Sequence, residues 1–168
     1  RRVLFRSSDA VSTAERLTRL ESQNEDLWIK LKIKHTQSSL LVGTCYRPPN
    51  SPLAPFLQDM EQSLTQATSM HDSDELNTIV VGDFNARCAA WCDADTTDEA
   101  GGSLQQLTAA FGLRQLVDFK TNIVAGELRA CLDLVFTNLE DISVKSCPPL
   151  GSSDHLTLQG EFKPCARN

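Results

Sequence analysis

Residues 78–86 read TIVVGDFNA. Three β-branched residues, Ile79 to Val81, run into Gly82, the pattern of a buried strand that ends abruptly. An acid and an amide follow at once, two positions apart. Alternation along an extended segment predicts that Asp83 and Asn85 point the same way, with Phe84 turned into the core. A carboxylate and a carboxamide side by side at a strand end can hold a metal ion or a water and can donate to a phosphate oxygen. Gly, Asp and Asn are also common turn formers, and taken alone the stretch is better read as a strand running into a turn. The rest of the chain changes that.

With 168 residues there is room for one domain with a real core. The hydrophobic share of 40% and the charged share of 23% are ordinary for a globular protein. No apolar run is long enough to span a bilayer, and no secretory signal is visible, so no membrane partner is expected. A formal net charge of −6 argues against a protein that coats nucleic acid, which would be basic. It leaves room for an enzyme that grips a phosphodiester locally through a metal ion. The six cysteines form no regular framework, and Cys45 and Cys131 lie in apolar runs where a buried thiol is the default. Cys88 and Cys92 are half of a zinc pattern whose second pair is missing, so no metal is expected there. The expected setting is reducing and intracellular.

The first seven residues, RRVLFRS, resemble the translation of a sequencing-library adapter and are set aside as a non-native tail. The domain is expected over 8–168. Val11, Ala14, Leu17 and Leu20 predict one face of a short helix. Leu27, Ile29, Leu31 and Ile33 alternate with Trp28 and three lysines, which predicts a strand over 27–33 with one wet face. A polar turn at His35 separates it from a more buried strand over 40–46, giving a hairpin. Tandem prolines after Arg47 stop that strand. Ser51 is the expected cap of a helix that starts at Pro52 and runs to Ala67, with Leu53, Phe56, Leu57, Met60 and Leu64 as its core stripe.

After Asn85 an acidic loop (Asp93, Asp95, Asp98, Glu99) reads as solvated surface, lacking calcium-loop spacing. A helix is expected over 103–111, with Gly112 as its stop. Short strands are expected over 113–119, 132–136 and 142–144, and a closing strand over 156–162. Strand patterns interleaved with capped helices imply an α/β domain.

Polar groups stand where strands end: Tyr46, Asp83 with Asn85, Asp133, and Asp154 with His155. Strand ends along one edge of an α/β domain are where sites are usually built. A second acid such as Asp133 could orient an imidazole. Each also has a plain structural reading: Tyr46 as an amphipathic core edge, Asp133 as a backbone partner, Asp154-His155 as a turn.

Order and spelling are more specific than residue type. YRPP, GDFNA, LDLVFTN and LGSSDH, in that order, resemble the endonuclease/exonuclease/phosphatase superfamily, and within it the endonuclease domain of non-LTR retrotransposons. The likeness runs from about Leu27 to Phe162. It implies a layered, DNase I-like β-sandwich with flanking helices and a Mg²⁺-dependent (alternatively Mn²⁺-dependent) hydrolase that nicks target DNA in the nucleus. A reverse transcriptase would be fused to it. By that resemblance Asp83 activates or positions the attacking water, Asn85 helps bind it and the phosphate, and His155 contacts the scissile phosphate. Asp133 would hold the His155 ring, Tyr46 would hydrogen-bond the phosphate, and Asp154 would lie near the metal. The family pattern also includes an upstream asparagine and a metal-ligating glutamate. Glu15, Glu21 and Glu25 lack the surrounding motif, so the sandwich is expected to be incomplete at its N-terminus, with an exposed edge or an apolar face left over and the fragment itself inactive. The competing readings are a phosphatase of the same superfamily, acting on phosphoinositides or another small phosphorylated substrate, and a non-catalytic remnant.

Overall fold

The computed structural model describes residues 11–34, 39–70, 76–92 and 96–162. The adapter-like tail, His35, His71, Asp93, Asp95 and Cys165 lie outside them. Three strands come first: β1 (Val11–Arg16), β2 (Glu25–Ile33) and β3 (Ser39–Tyr46). Helix α1 (Leu53–Ser69) leads to β4 (Leu76–Asp83), and α2 (Glu99–Ala110) to the short β5 (Arg114–Gln115). Then come β6 (Asn122–Val124), β7 (Glu127–Ala130), β8 (Asp133–Thr137), β9 (Ile142–Cys147) and β10 (Thr157–Phe162).

Six of these strands form one mixed sheet in the order β1-β2-β3-β4-β8-β5, beside the two-stranded sheets β9-β10 and β6-β7. The β2–β3 hairpin is antiparallel, as expected. β3 and β4 are parallel, joined by the crossover helix α1, which a parallel pair requires. Alternation divides the sheet into two faces. Trp28, Leu41, Val80 and Phe136 join Phe56, Met60 and Leu64 of α1 in the main core. Leu40 and Val42 form a second cluster with Leu139, against which Ile142 and Phe162 of the β9–β10 hairpin pack. On this second face Leu27, Ile29, Leu31, Ile79 and Val81 stay half-buried.

Several expectations fail in detail. The wet face assigned to β2 is the buried one at Trp28, which is fully enclosed. Trp28 lies opposite Gly43, and a Cβ on that glycine would sit 2.6 Å from the indole ring. Only glycine leaves room for the side chain to lie flat on the sheet. The helix expected over Val11–Leu20 is strand β1, antiparallel to β2, followed by a single 3₁₀ turn at Thr18–Leu20. Leu17 and Leu20 still reach the core, but pairing with the β2 edge outweighs a weak helical period. The strand expected over 113–119 pairs only at Arg114–Gln115, because the Gln115 side chain bonds the N–H and carbonyl of Val117 and takes over the ladder.

Ser51 does not cap α1. The cap position is Pro52, and the Ser51 hydroxyl donates to the Pro48 carbonyl at 2.9 Å. α2 starts four residues before its expected first residue because Asp98, read as a solvated acid, accepts from Gly101 N at 2.7 Å and caps it. The β6–β7 hairpin was not anticipated. Its two-residue loop, Ala125-Gly126, has φ of 52° and 82°, the primed-turn geometry that Asn-Gly or Asp-Gly usually announces. Among the described residues no helix is long and apolar enough to cross a membrane.

Candidate active site

Strand register does most of the assembly. Asp83 ends β4 and is the pairing partner of Tyr46 on β3 and of Asp133 on β8. Residues directly opposite across neighbouring strands project from the same face. Three of the six singled-out residues are therefore side by side at one end of the sheet. Phe84, next in the chain, turns to the opposite side and is fully buried, edge-on to Phe136 at 5.4 Å and to Phe56 at 6.3 Å. This aromatic anchor fixes the strand's end.

Asn85 departs from the extended pattern. Its φ is 45°, in the left-handed region, and its N–H donates to Asp83 Oδ1 at 3.2 Å. The chain after Asp83 closes into a side-chain-stabilised turn, so Asp83 and Asn85 are associated through a hydrogen bond and not through strand alternation. The Asn85 carboxamide donates to the Arg47 carbonyl at 2.8 Å.

His155 arrives from the loop between β9 and β10 and is buried. Its Nδ1 lies 2.6 Å from Asp133 Oδ2, and its Nε2 lies 3.2 Å from the Asn122 amide nitrogen. With the amide donating, Nε2 is an acceptor, and Nδ1 carries the proton and donates a hydrogen bond to the Asp133 carboxylate. Asn122 reaches the ring because its backbone bridges that of His155 at the start of β6. Thr121 ties the two arms together. Its fully buried hydroxyl accepts from the N–H groups of Leu132 and Asp133 at 3.1 and 3.0 Å, and its carbonyl accepts from Leu156 N at 2.8 Å.

Asp83, Asp133 and His155 each offer a ligand atom within 4.8 Å of the others. The two carboxylates offer hard oxygen ligands that fit a divalent cation such as Mg²⁺, whereas the imidazole is engaged through Nδ1 by Asp133. Asp154 stands apart from this group: its side chain is exposed, and its carbonyl accepts from Ile123 N at 2.7 Å. Glu15 and Glu25 are exposed, and Glu21 is engaged with Arg16 at 2.7 and 2.8 Å. Cys88 and Cys92 are buried free thiols.

Three residues of the site went unnoticed in the sequence: Arg47, Thr121 and Asn122. The Arg47 guanidinium is buried beneath the Asp83–Asn85 turn, and burial lowers its pKa against the opposing pull of Asp98. A charged residue between an aromatic strand end and tandem prolines was the available signal.

The family described as endonuclease-reverse transcriptase matches residues 40–159. The chain belongs to that family. No curated protein matches it. Among solved structures it is similar to the endonuclease domain of TRAS1, a telomere-specific non-LTR retrotransposon, with a TM-score of 0.72 at 18% identity, over 90% of this chain and 67% of that one. The AP endonuclease LMAP from Leishmania major gives 0.62 at 14% identity, over 83% and 55%. The 3′ phosphatase NExo from Neisseria, bound to a product DNA hairpin, gives 0.57 at 15% identity, over 91% and 71%. The fold is thus that of the endonuclease/exonuclease/phosphatase proteins, and this endonuclease-reverse transcriptase family member spans 67% or less of the TRAS1 domain and of LMAP.

Proposed function

We propose that the chain is part of the endonuclease of a non-LTR retrotransposon protein that cuts one strand of target DNA in the nucleus. The cut would leave a 3′-hydroxyl to prime a fused reverse transcriptase. The observation that carries this reading is the convergence of Asp83, Asp133 and His155 at one strand end, within 4.8 Å. Phosphodiester hydrolysis needs a water in line with the leaving oxygen, neutralisation of the phosphate, and donors set in advance around it.

In this reading Asp83 orients the attacking water and accepts its proton. His155, its ring held by Asp133, would meet the phosphate through an N–H on Nε2, which requires the ring to carry both protons once Asn122 yields that nitrogen. The Tyr46 hydroxyl, beside Asp83 in register, donates to a phosphate oxygen, and the Asn85 carboxamide helps hold the water. Asp83 would help hold a Mg²⁺ ion, with Asp154 near it at the rim, while the Asp133 carboxylate stays on His155. That ion would supply charge neutralisation at the phosphate.

Similarity to a 3′ phosphatase of the same fold supports a second reading, release of a terminal phosphate. The two separate on substrate. The full-length protein with Mg²⁺ should convert supercoiled plasmid to open circles and leave a phosphoinositide intact. Phosphate release without nicking would replace the endonuclease by a phosphatase. Residues 8–168 alone should not nick, because Glu15, Glu21 and Glu25 lack the motif that surrounds the family's upstream metal-ligating carboxylate. Nicking by residues 8–168 that Asp83→Ala removes would overturn that.

A further inference from the structure

We propose that Arg47 is a positioning residue of this site, holding Asp83 and Asn85 in their working geometry through three successive main-chain carbonyls. The proposal rests on the endonuclease reading above. The Arg47 N–H donates to the carbonyl of Asp83 at 2.9 Å, its Nε donates to the carbonyl of Phe84 at 2.7 Å, and its Nη2 donates to the carbonyl of Asn85. In return the Asn85 side chain donates to the Arg47 carbonyl at 2.8 Å. The two segments are locked reciprocally across the ends of β3 and β4.

The guanidinium is buried at 6% exposure, yet among the described residues no carboxylate lies within ion-pair distance of it. Burying a permanent charge against carbonyls, with Asp98 acting only from beyond ion-pair distance, is costly, and the arrangement persists where the surrounding structure enforces it. What the charge secures is specific. A non-glycine residue at positive φ is disfavoured, and Asn85 is kept there with its carbonyl turned inward to Nη2 and its carboxamide turned back to Arg47. The Asp83 carboxylate is fixed from the same turn through Asn85 N.

Geometry also says why the residue is arginine. A planar fork reaches two adjacent carbonyls at once, whereas an ammonium is a single point charge with a different reach. Lysine at 47 would keep the charge and the backbone bond but could not span the Phe84 and Asn85 carbonyls. The turn would relax by a fraction of an ångström to an ångström. Misplacement of that order costs about 10²-fold in rate while leaving remote substrate contacts in place.

The test uses the full-length protein in two arms. In plasmid nicking with Mg²⁺, Arg47→Lys should lower kcat about 10²-fold with KM for DNA unchanged, and Arg47→Ala should regain part of its rate with millimolar methylguanidinium. Independently of activity, hydrogen exchange at the Asn85 side-chain amide should be slowed in the wild-type protein and faster in Arg47→Lys. A wild-type kcat in Arg47→Lys, or a loss confined to KM, overturns the proposal. So does free exchange at the Asn85 amide in the wild-type protein, a measurement that stands even where a variant fails to fold. Should the wild-type protein itself not nick, the endonuclease reading falls, and the Asn85 amide alone then confirms or refutes the clamp.

Discussion

His155 Nδ1 lies 2.6 Å from Asp133 Oδ2, joining a loop after β9 to the first residue of β8. The contact gives the imidazole one orientation and one tautomer, because a carboxylate accepts only and so requires the proton on Nδ1. Asn122 on the far side of the ring is consistent with the same assignment, its amide donating to Nε2.

Asp133→Asn should therefore retain the fold and lose the orientation. An amide oxygen can still accept from Nδ1, but it cannot stabilise a charged ring, and its NH₂ group favours the wrong tautomer. Loss of such a supporting partner costs about 10–100-fold. The expected result is a fall of that size in the single-turnover nicking rate of the full-length protein, with DNA affinity unchanged. An unchanged rate would separate Asp133 from the function of His155.

Much of the site was legible because strand alternation and local spelling are properties of short segments. The end of β4 at Asp83, the placement of Asp133 on a strand, and the core stripe of α1 all follow from neighbours within a few residues. Asn122 and Thr121 were not legible. Their roles depend on a hairpin whose turn, Ala125-Gly126, carries only half of the usual signal, and on a backbone bridge to a residue 33 positions away. Trp28 misled for a related reason. Alternation told that two faces exist, but which one is buried depended on Gly43 in the next strand.

Gly82 illustrates how tightly the strand ends are drawn together. A Cβ there would lie 1.8 Å from the Cys45 carbonyl oxygen, main chain that cannot move aside alone. Gly82→Ala should destabilise the domain by about 3 kcal/mol, the upper end for overpacking, or prevent folding. Equilibrium urea denaturation of residues 8–168 measures it. A variant within about 0.5 kcal/mol of wild type, the range of neutral surface changes, would mean that β3 and β4 are not paired as described.

Alkaline pH should weaken the fold through Cys45. Burial pushes its thiol up from the ordinary value of 9.0, and Asp26 adds to the shift. The folded state holds the proton longer than the unfolded chain does. Stability from this group is thus complete below pH 9.0 and declines as pH rises above it. Urea midpoints taken between pH 8 and 10.5 should fall, and Cys45→Ala should make the fall shallower. Equal slopes in the two proteins would show that Cys45 is not enclosed. The half-exposed Cys147 should meanwhile react with a thiol reagent in the native state, ahead of the buried Cys45, Cys88, Cys92 and Cys131.

The most direct measurement is nicking of supercoiled plasmid by the full-length protein with Mg²⁺, comparing wild type with Asp83→Ala and His155→Ala at matched folded concentration. Open-circle product should form with wild type and be lost in both variants, since in the proposed mechanism Asp83 orients the water and His155 meets the phosphate. Nicking that survives either substitution, or a folded wild-type protein that leaves the plasmid intact, would contradict the assignment of these strand ends as an endonuclease active site.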